Sequence, residues 1–255
     1  MKVSIITATY NSVHKLQRAI DAVARQDYPD LEHILIDGGS TDGTLELIQK
    51  NQERIAHVVS EKDNGIYDAL NKGIHLATGH IIGFLHSDDV FENEKVISSI
   101  VQKFKECNAD VVYGNVTYLS HSDGKKRLVR YWASSPFDPK SLKFGWMPPH
   151  PTVYCKREVY EDCGLYDASF RIAADYDFIL RLFQNPKYKK VHIPNVLVNM
   201  DMGGISNSSI KNIIKKSKED WRAIKKNKAG NFWTIVLKNL RKLHQFWGYR
   251  QRGWQ

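Results

Sequence analysis

Along the first 115 positions, apolar residues fall into short continuous runs separated by stretches with helical spacing. Residues 2–7 (KVSIIT) read as a buried strand, and 13–26 as an amphipathic helix with Leu16, Ile20 and Val23 on one stripe. Further strands are predicted at 33–37 (HILID), 55–60, 80–85 (HIIGFL) and 110–115, and further helices at 44–50, 66–77 and 94–105. This alternation implies an α/β fold, a mostly parallel central sheet with helices on both faces. In such sheets ligands gather beyond the carboxyl ends of the strands. Four polar clusters fall at those ends: 7–11, 37–41, 61–65 and 87–89.

After Asn115 the pattern changes. Residues 116–119 and 128–132 flank Ser122-Asp123-Gly124 as a hairpin, and the loop 134–151 holds five of the eight prolines. A helix is predicted over 173–183, a strand over 188–199, and two basic helices over 209–228 and 231–247.

Composition adds bounds. At 255 residues, 42% apolar and 25% charged, the chain is long enough for a large core, and wholesale disorder is excluded. No apolar run approaches the roughly 18 residues of a membrane span. The start, MKVSI, lacks the parts of a signal peptide. Cys107, Cys155 and Cys163 form no CxxC, which argues against a disulfide framework or a zinc site and points to the cytosol. The net charge of +9 is localised: residues 205–255 hold 13 Lys/Arg against 2 Asp/Glu, so the body is nearly neutral. A polyanionic partner is therefore a matter for the tail alone.

Asp88 and Asp89 follow a strongly apolar strand, so two adjacent carboxylates are held at a strand end. They repel each other, and a hard divalent cation bridging to phosphate oxygens would relieve that. The alternative is a helix N-cap at Asp89. Asp37 also ends an apolar strand; Gly38 and Gly39 allow close ligand approach, while Ser40 and Thr41 suit a capped turn. Either role fits Asp37. The glycine spacing does not match GxGxxG.

The ordered set SIITATYNS, HILIDGGSTDGT and SEKDNGIYDALNKGIHLATGHIIGFLHSDDVF resembles the inverting family 2 glycosyltransferases of GT-A fold, with a weaker match through PPHPTVY, AADYDFILRLF and GGIS. The resemblance implies a Rossmann-like GT-A domain over 1–204, divided into a nucleotide-sugar-binding half (1–115) and an acceptor-binding half (116–204), followed by a basic helical extension over 205–255. It implies that Thr7, Ala8, Thr9, Tyr10 and Asn11 form the first nucleotide loop. Asp37 would read the base edge, with Ser40 beside it. Asp63, Gly65, Tyr67, Asp68, Asn71 and Lys72 would line the ribose, diphosphate and sugar. Asp88 and Asp89 match the end of a DxD-type element that binds Mn²⁺ or Mg²⁺, with Ser87 at its first position. Leu70 stands where many relatives have Arg.

Inversion requires a base for the acceptor hydroxyl. The resemblance places it at Asp175, where Ala174 replaces the usual Glu. Asp177 lies about 200° further round a helix and has Arg181 at i+4 as a partner. His150, after Pro148-Pro149, matches a residue near the acceptor, and Gly203-Gly204-Ile205-Ser206 a loop over the donor.

The stretch 231–252 combines Phe232, Trp233, Leu237, Leu240, Phe246 and Trp247 with Lys238, Arg241, Lys242, Arg250 and Arg252. That mixture suits peripheral contact with an anionic membrane, here the cytoplasmic face of the inner membrane; the alternative is packing on the catalytic domain or a second subunit. The partners implied are a nucleotide-sugar donor and a saccharide or lipid-linked acceptor of polysaccharide biosynthesis. Nucleic acid is not among them, and homo-oligomerisation stays open. An aspartyl-nucleophile phosphohydrolase would need a second carboxylate after Asp37. A basic membrane- or nucleic-acid-binding module would leave Asp37, Asp88, Asp89 and Asp175 without purpose.

Overall fold

The computed structural model describes residues 1–122, 125–201 and 210–247. Four strands form the parallel part of the sheet in the order β3 (His57–Ser60), β2 (Leu31–Asp37), β1 (Val3–Thr9) and β4 (Ile81–Phe84). They are linked by α1 (Leu16–Ala24), α2 (Thr44–Lys50) and α3 (Ile66–Leu76). All four therefore end on one edge, where the predicted polar clusters lie. The sheet continues from β4 through the antiparallel β8 (Tyr154–Lys156) to β6 (Val111–Ser122), then β9 (Lys190–Asp201) and β5 (Asp89–Phe91). β7 (Lys125–Trp132) pairs with β6 as the expected hairpin.

Side-chain alternation explains the layers. Val3 and Ile5 of β1 join the core beside α1 and α4 (Val96–Cys107), whereas Ile6 and Ala8 face the opposite layer with Leu70 and Ile74 of α3 and much of α6 (Ala174–Gln184). A strand buried on both faces is the signature of a sheet covered by helices.

The structure departs from the sequence reading in several places. The expected division at 115/116 falls inside β6, a single twelve-residue strand. β8 and α5 (Arg157–Cys163) are additional elements, too short to carry a periodic signal. Asp89 opens β5 and α4 starts only at Val96, so the N-cap alternative for Asp89 lapses. The boundary at 204/205, the GGIS loop, Asp123, Gly124, Arg250 and Arg252 lie outside the described residues.

The C-terminal helices α7 (Ile210–Lys226) and α8 (Phe232–Trp247) pack on the body. Asp220, Ala223 and Ile224 of α7 are buried. Lys238 of α8, expected on an interfacial helix, is buried beneath it: its Nζ lies 2.7 Å from Asp220 Oδ1 and 3.2 Å from the Tyr176 ring centroid. Arg241 donates to the Phe144 carbonyl. A Cβ on Gly145, whose φ is +72°, would meet the Lys238 backbone nitrogen at 2.5 Å, so α8 seats against a position that suits only glycine.

Candidate active site

Three loops converge at the carboxyl edge. Asn11, in the left-handed region at φ 48°, donates its amide to Ser40 Oγ at 2.8 Å and accepts from the Thr41 amide at 3.0 Å, tying the first loop to the second. A Cβ on Gly38 would meet Asp63 Oδ2 at 2.6 Å and the Tyr10 ring at 3.4 Å, so Asp63 and Tyr10 close around the one residue small enough to sit between them. The Tyr10 ring is 62% exposed, an aromatic face offered at the strand ends.

Several of the predicted donor residues are committed elsewhere. Thr7 and Ala8 lie inside β1, and the Thr7 hydroxyl is engaged by His33 and donates to the Leu85 carbonyl. Thr9 is also buried. The Asp37 carboxylate accepts from the Gly39 and Ser40 amides and from the hydroxyls of Ser40 and Ser60, so it organises its own turn. Asn71 spends its amide group on the backbone N–H and carbonyl of Tyr166, fastening α3 to the second half. Thr7, Asp37 and Asn71 thus satisfy buried backbone and hydroxyl groups, whereas the buried Thr9 hydroxyl has no hydrogen-bond partner among the described residues.

Others face the edge. Gly65, at φ 114°, opens α3 with free space about it. Asp68 accepts from the Asn64 amide, and Lys72 bridges Glu61 at 2.7 Å and Asp68 at 3.5 Å. Lys72 is thus a paired cation, its pKa raised by the Glu61 hydrogen bond.

At the end of β4, Asp88 is half-buried with Lys15 Nζ at 3.8 Å. Asp89 is 1% exposed, and among the described residues neither of its oxygens has a hydrogen-bond partner. Burial, followed by the charges of Asp88 and Asp201, pushes its carboxyl well above the usual range. An orphaned buried carboxylate beside a second one is a donor set that a hard cation would complete, so the residues fit Mn²⁺ or Mg²⁺. Among the described residues no three His, Cys, Asp or Glu side chains come together as a metal cage. Asp88 and Asp89 are the residues that would hold it.

Asp175 stands in the first turn of α6. Its Oδ1 accepts from the Tyr67 hydroxyl at 3.3 Å, and its Oδ2 lies 3.5 Å from His150 Nδ1. His150 Nε2 is in turn 2.8 Å from His86 Nε2. His86 lies two residues before Asp88, so two imidazoles connect the carboxylate of α6 to the end of β4. Burial, and then the Lys216 and His86 charges against that of Asp175, bring the His150 pKa to about 4, and burial lowers that of His86. Both rings are neutral near pH 7, so one ring donates where the other accepts. Burial alone would raise Asp175; His150, Lys216, Lys238 and the Tyr176 amide outweigh it and hold the carboxyl below its ordinary value. A carboxylate ionised at neutral pH and held at its two oxygens by Tyr67 and His150 can take up a proton.

Asp177 is fully buried and pairs with Arg181 at 3.0 Å, as the i,i+4 spacing predicts. His86, Tyr67 as the partner of Asp175, and Lys216 were not singled out for these roles from the sequence. Only His86 carried a signal, its place two residues before Asp88. A cavity of about 460 Å³ opens beside this cluster, lined in part by Gly65, Tyr67, Asp68, Phe170 and Arg171.

A parallel β3-β2-β1-β4 half joined through antiparallel β8 to a second half, with carboxylates and a basic side chain at their junction, is the GT-A architecture of nucleotide-sugar-dependent transferases. The chain belongs to the glycosyl transferase family 2, whose model matches residues 4–172, and it is a glycosyltransferase. It is 32% identical over 215 residues to the PGL/p-HBAD biosynthesis glycosyltransferase of Mycobacterium bovis, covering 81% of this chain and 80% of that one. Its fold is similar to that of S. aureus TarS 1–349 in complex with UDP-GlcNAc, with TM-score 0.70, 16% identity, and coverage of 99% of this chain and 75% of that one. The mannosyltransferase PcManGT from Pyrobaculum calidifontis, in complex with GDP-Man and Mn²⁺, is similar at TM-score 0.66 and 19% identity, over 93% of this chain and 68% of that one.

Proposed function

We propose that this glycosyltransferase moves a sugar, with inversion, from a metal-bound nucleotide-diphosphate sugar to a saccharide or polyprenyl-linked acceptor in the assembly of cell-surface glycans. The observation that carries the reading is the Asp175–His150–His86 chain, which connects a carboxylate of the second half to the strand end bearing Asp88. Asp175 would take the proton of the acceptor hydroxyl as its oxygen bonds to the anomeric carbon and the bond from that carbon to the diphosphate breaks. Tyr67 and His150 hold the carboxylate in place. Lys72 would turn from Glu61 to the departing phosphate. A divalent cation held by Asp88 and Asp89 would neutralise charge on the leaving diphosphate. Tyr10, exposed beside Asp63, would carry the nucleobase.

The relatives support the acceptor class: one acts in PGL/p-HBAD biosynthesis, and a chondroitin synthase of Pasteurella multocida is 30% identical over 220 residues, covering 85% of this chain and 22% of that one. Peripheral contact with the cytoplasmic face of the inner membrane is supported by Phe232, Trp233 and Leu240 of α8, exposed at 64%, 67% and 50%. Among the described residues no helix is long and apolar enough to cross a membrane.

A thermal-shift screen of UDP-, GDP- and dTDP-sugars with and without Mn²⁺, followed by a transfer assay with the donor it selects, tests the proposal. Asp175→Asn is expected to lower kcat by about 10²- to 10⁴-fold with the Mn²⁺-dependent thermal shift intact. Near-normal turnover in that variant would remove Asp175 as the base.

A further inference from the structure

Helix α6 begins without a cap of its own, because Ala173 at its N-cap offers no side-chain acceptor. Just ahead of it, the amides of Arg171, Ile172 and Ala173 converge on a single oxygen, Glu219 Oε2 of α7, at 3.1, 2.8 and 3.1 Å. A carboxylate accepting three amides at the positive end of a helix is a charge-assisted anchor. The carbonyl of Ile172, the central residue of this tripod, accepts from the Tyr67 hydroxyl at 2.8 Å, and the same hydroxyl reaches Asp175 Oδ1. Glu219 is therefore three hydrogen bonds from the base, through Ile172 and Tyr67.

The rest of α7 grips the same segment. Arg222 donates to Ser169 Oγ at 2.6 Å, and its guanidinium lies 4.3 Å from the Phe170 ring centroid. Lys226 Nζ is 3.2 Å from Asp177 Oδ1, and Asn227, the residue after α7, donates to the same oxygen at 2.8 Å. Residues 169–177 are thus held from both ends by one helix of the C-terminal extension. The family match ends at residue 172, so it covers neither Glu219 nor Asp175.

We propose that Glu219 is a positioning residue for the base: its carboxylate fixes 171–173, the segment that leads into α6, and so sets the direction in which Asp175 and Tyr67 face the acceptor. The inference rests on the reading of Asp175 as the base. It makes the C-terminal extension part of the transferase site.

The test compares Glu219→Ala, Glu219→Gln and, as a control on the exposed side of α7, Lys215→Ala, all in the full chain. Hydrogen exchange at the amides of 171–173 is expected to rise by about tenfold or more in Glu219→Ala. With the donor selected by the Mn²⁺ screen, kcat should fall on the order of 10²-fold while donor KM stays within about twofold, since only the placement of the base changes. Glu219→Gln keeps an acceptor oxygen and loses the charge, so its kcat should lie between the wild type and Glu219→Ala. Lys215→Ala should match the wild type in both readouts. If Glu219→Ala does not fold, the intermediate loss in Glu219→Gln carries the test. Unchanged exchange at 171–173 would overturn the anchor. Faster exchange with unchanged kcat, or losses accompanied by a raised donor KM, would overturn the positioning role and leave the proposed function standing. Full turnover in Asp175→Asn, or a wild type inert with every sugar nucleotide, would remove the base assignment and this inference with it.

Discussion

Replacing Lys238 by methionine tests whether the basic C-terminal helices belong to the folded body. The Lys238 ammonium and the Asp220 carboxylate are 4% and 1% exposed, 2.7 Å apart, and the ammonium sits 3.2 Å from the Tyr176 ring centroid. Methionine fills much of the same volume but leaves Asp220 buried without its cation. Breaking one side of a buried ion pair costs about 3–5 kcal/mol, against a total stability on the order of 5–15 kcal/mol for a domain. For a chain of this size that is a fall in Tm on the order of 10 °C. The double variant Lys238→Met/Asp220→Leu removes both charges and should recover most of the loss, because two apolar side chains replace two desolvated ions. Urea denaturation of the full chain, followed by circular dichroism and tryptophan fluorescence, measures all four corners of the cycle. A Lys238→Met variant within about 1 kcal/mol of the wild type, or a double variant no better than the single, would refute the docking of α8 on α7 and α6.

Three further outcomes follow from the same geometry. Lys216 is one of the charges holding Asp175 below its ordinary pKa, so Lys216→Met should move the acid limb of the kcat–pH profile to higher pH; a limb that stays put would remove that electrostatic role. Asp89→Asn should leave the metal-free protein at least as stable, since it removes an uncompensated buried carboxyl, while abolishing the Mn²⁺-dependent rise in Tm; a retained rise would place the cation elsewhere. Burial raises the Glu32 pKa, but hydrogen bonds from Lys2, Ser4 and Thr78 overcome it and lower it from 4.5 to about 2. Its stabilisation is therefore complete above pH 4.5 and lost as pH falls through about 2, a contribution on the order of 3 kcal/mol. Glu32→Gln should show that deficit at pH 7 and converge on the wild type near pH 2, and a pH-independent gap would contradict the linkage.

The alternation of apolar runs with amphipathic helices was enough to determine the first half of the fold, because a parallel sheet covered on both faces imposes a pattern that local sequence must carry. The same pattern put Asp37, Asp63 and Asp88 on one edge, since strands linked by crossover helices all end on the same side. The one-turn pair Asp177–Arg181 was legible for the same reason: its geometry is local. What each polar side chain spends its hydrogen bonds on was not local. Asn71 turned to the Tyr166 backbone 95 residues away, Thr7 to His33 and Leu85, and Tyr67 to Asp175 108 residues on. Spacing along a chain carries no information about such partners. Tertiary structure alone decided that His86 and His150 meet, that Lys238 faces inward toward Asp220, and that Glu219 gathers amides 46 to 48 residues earlier in the chain. In each case a buried polar group had to find its complement, and the nearest one in space lay far away in sequence.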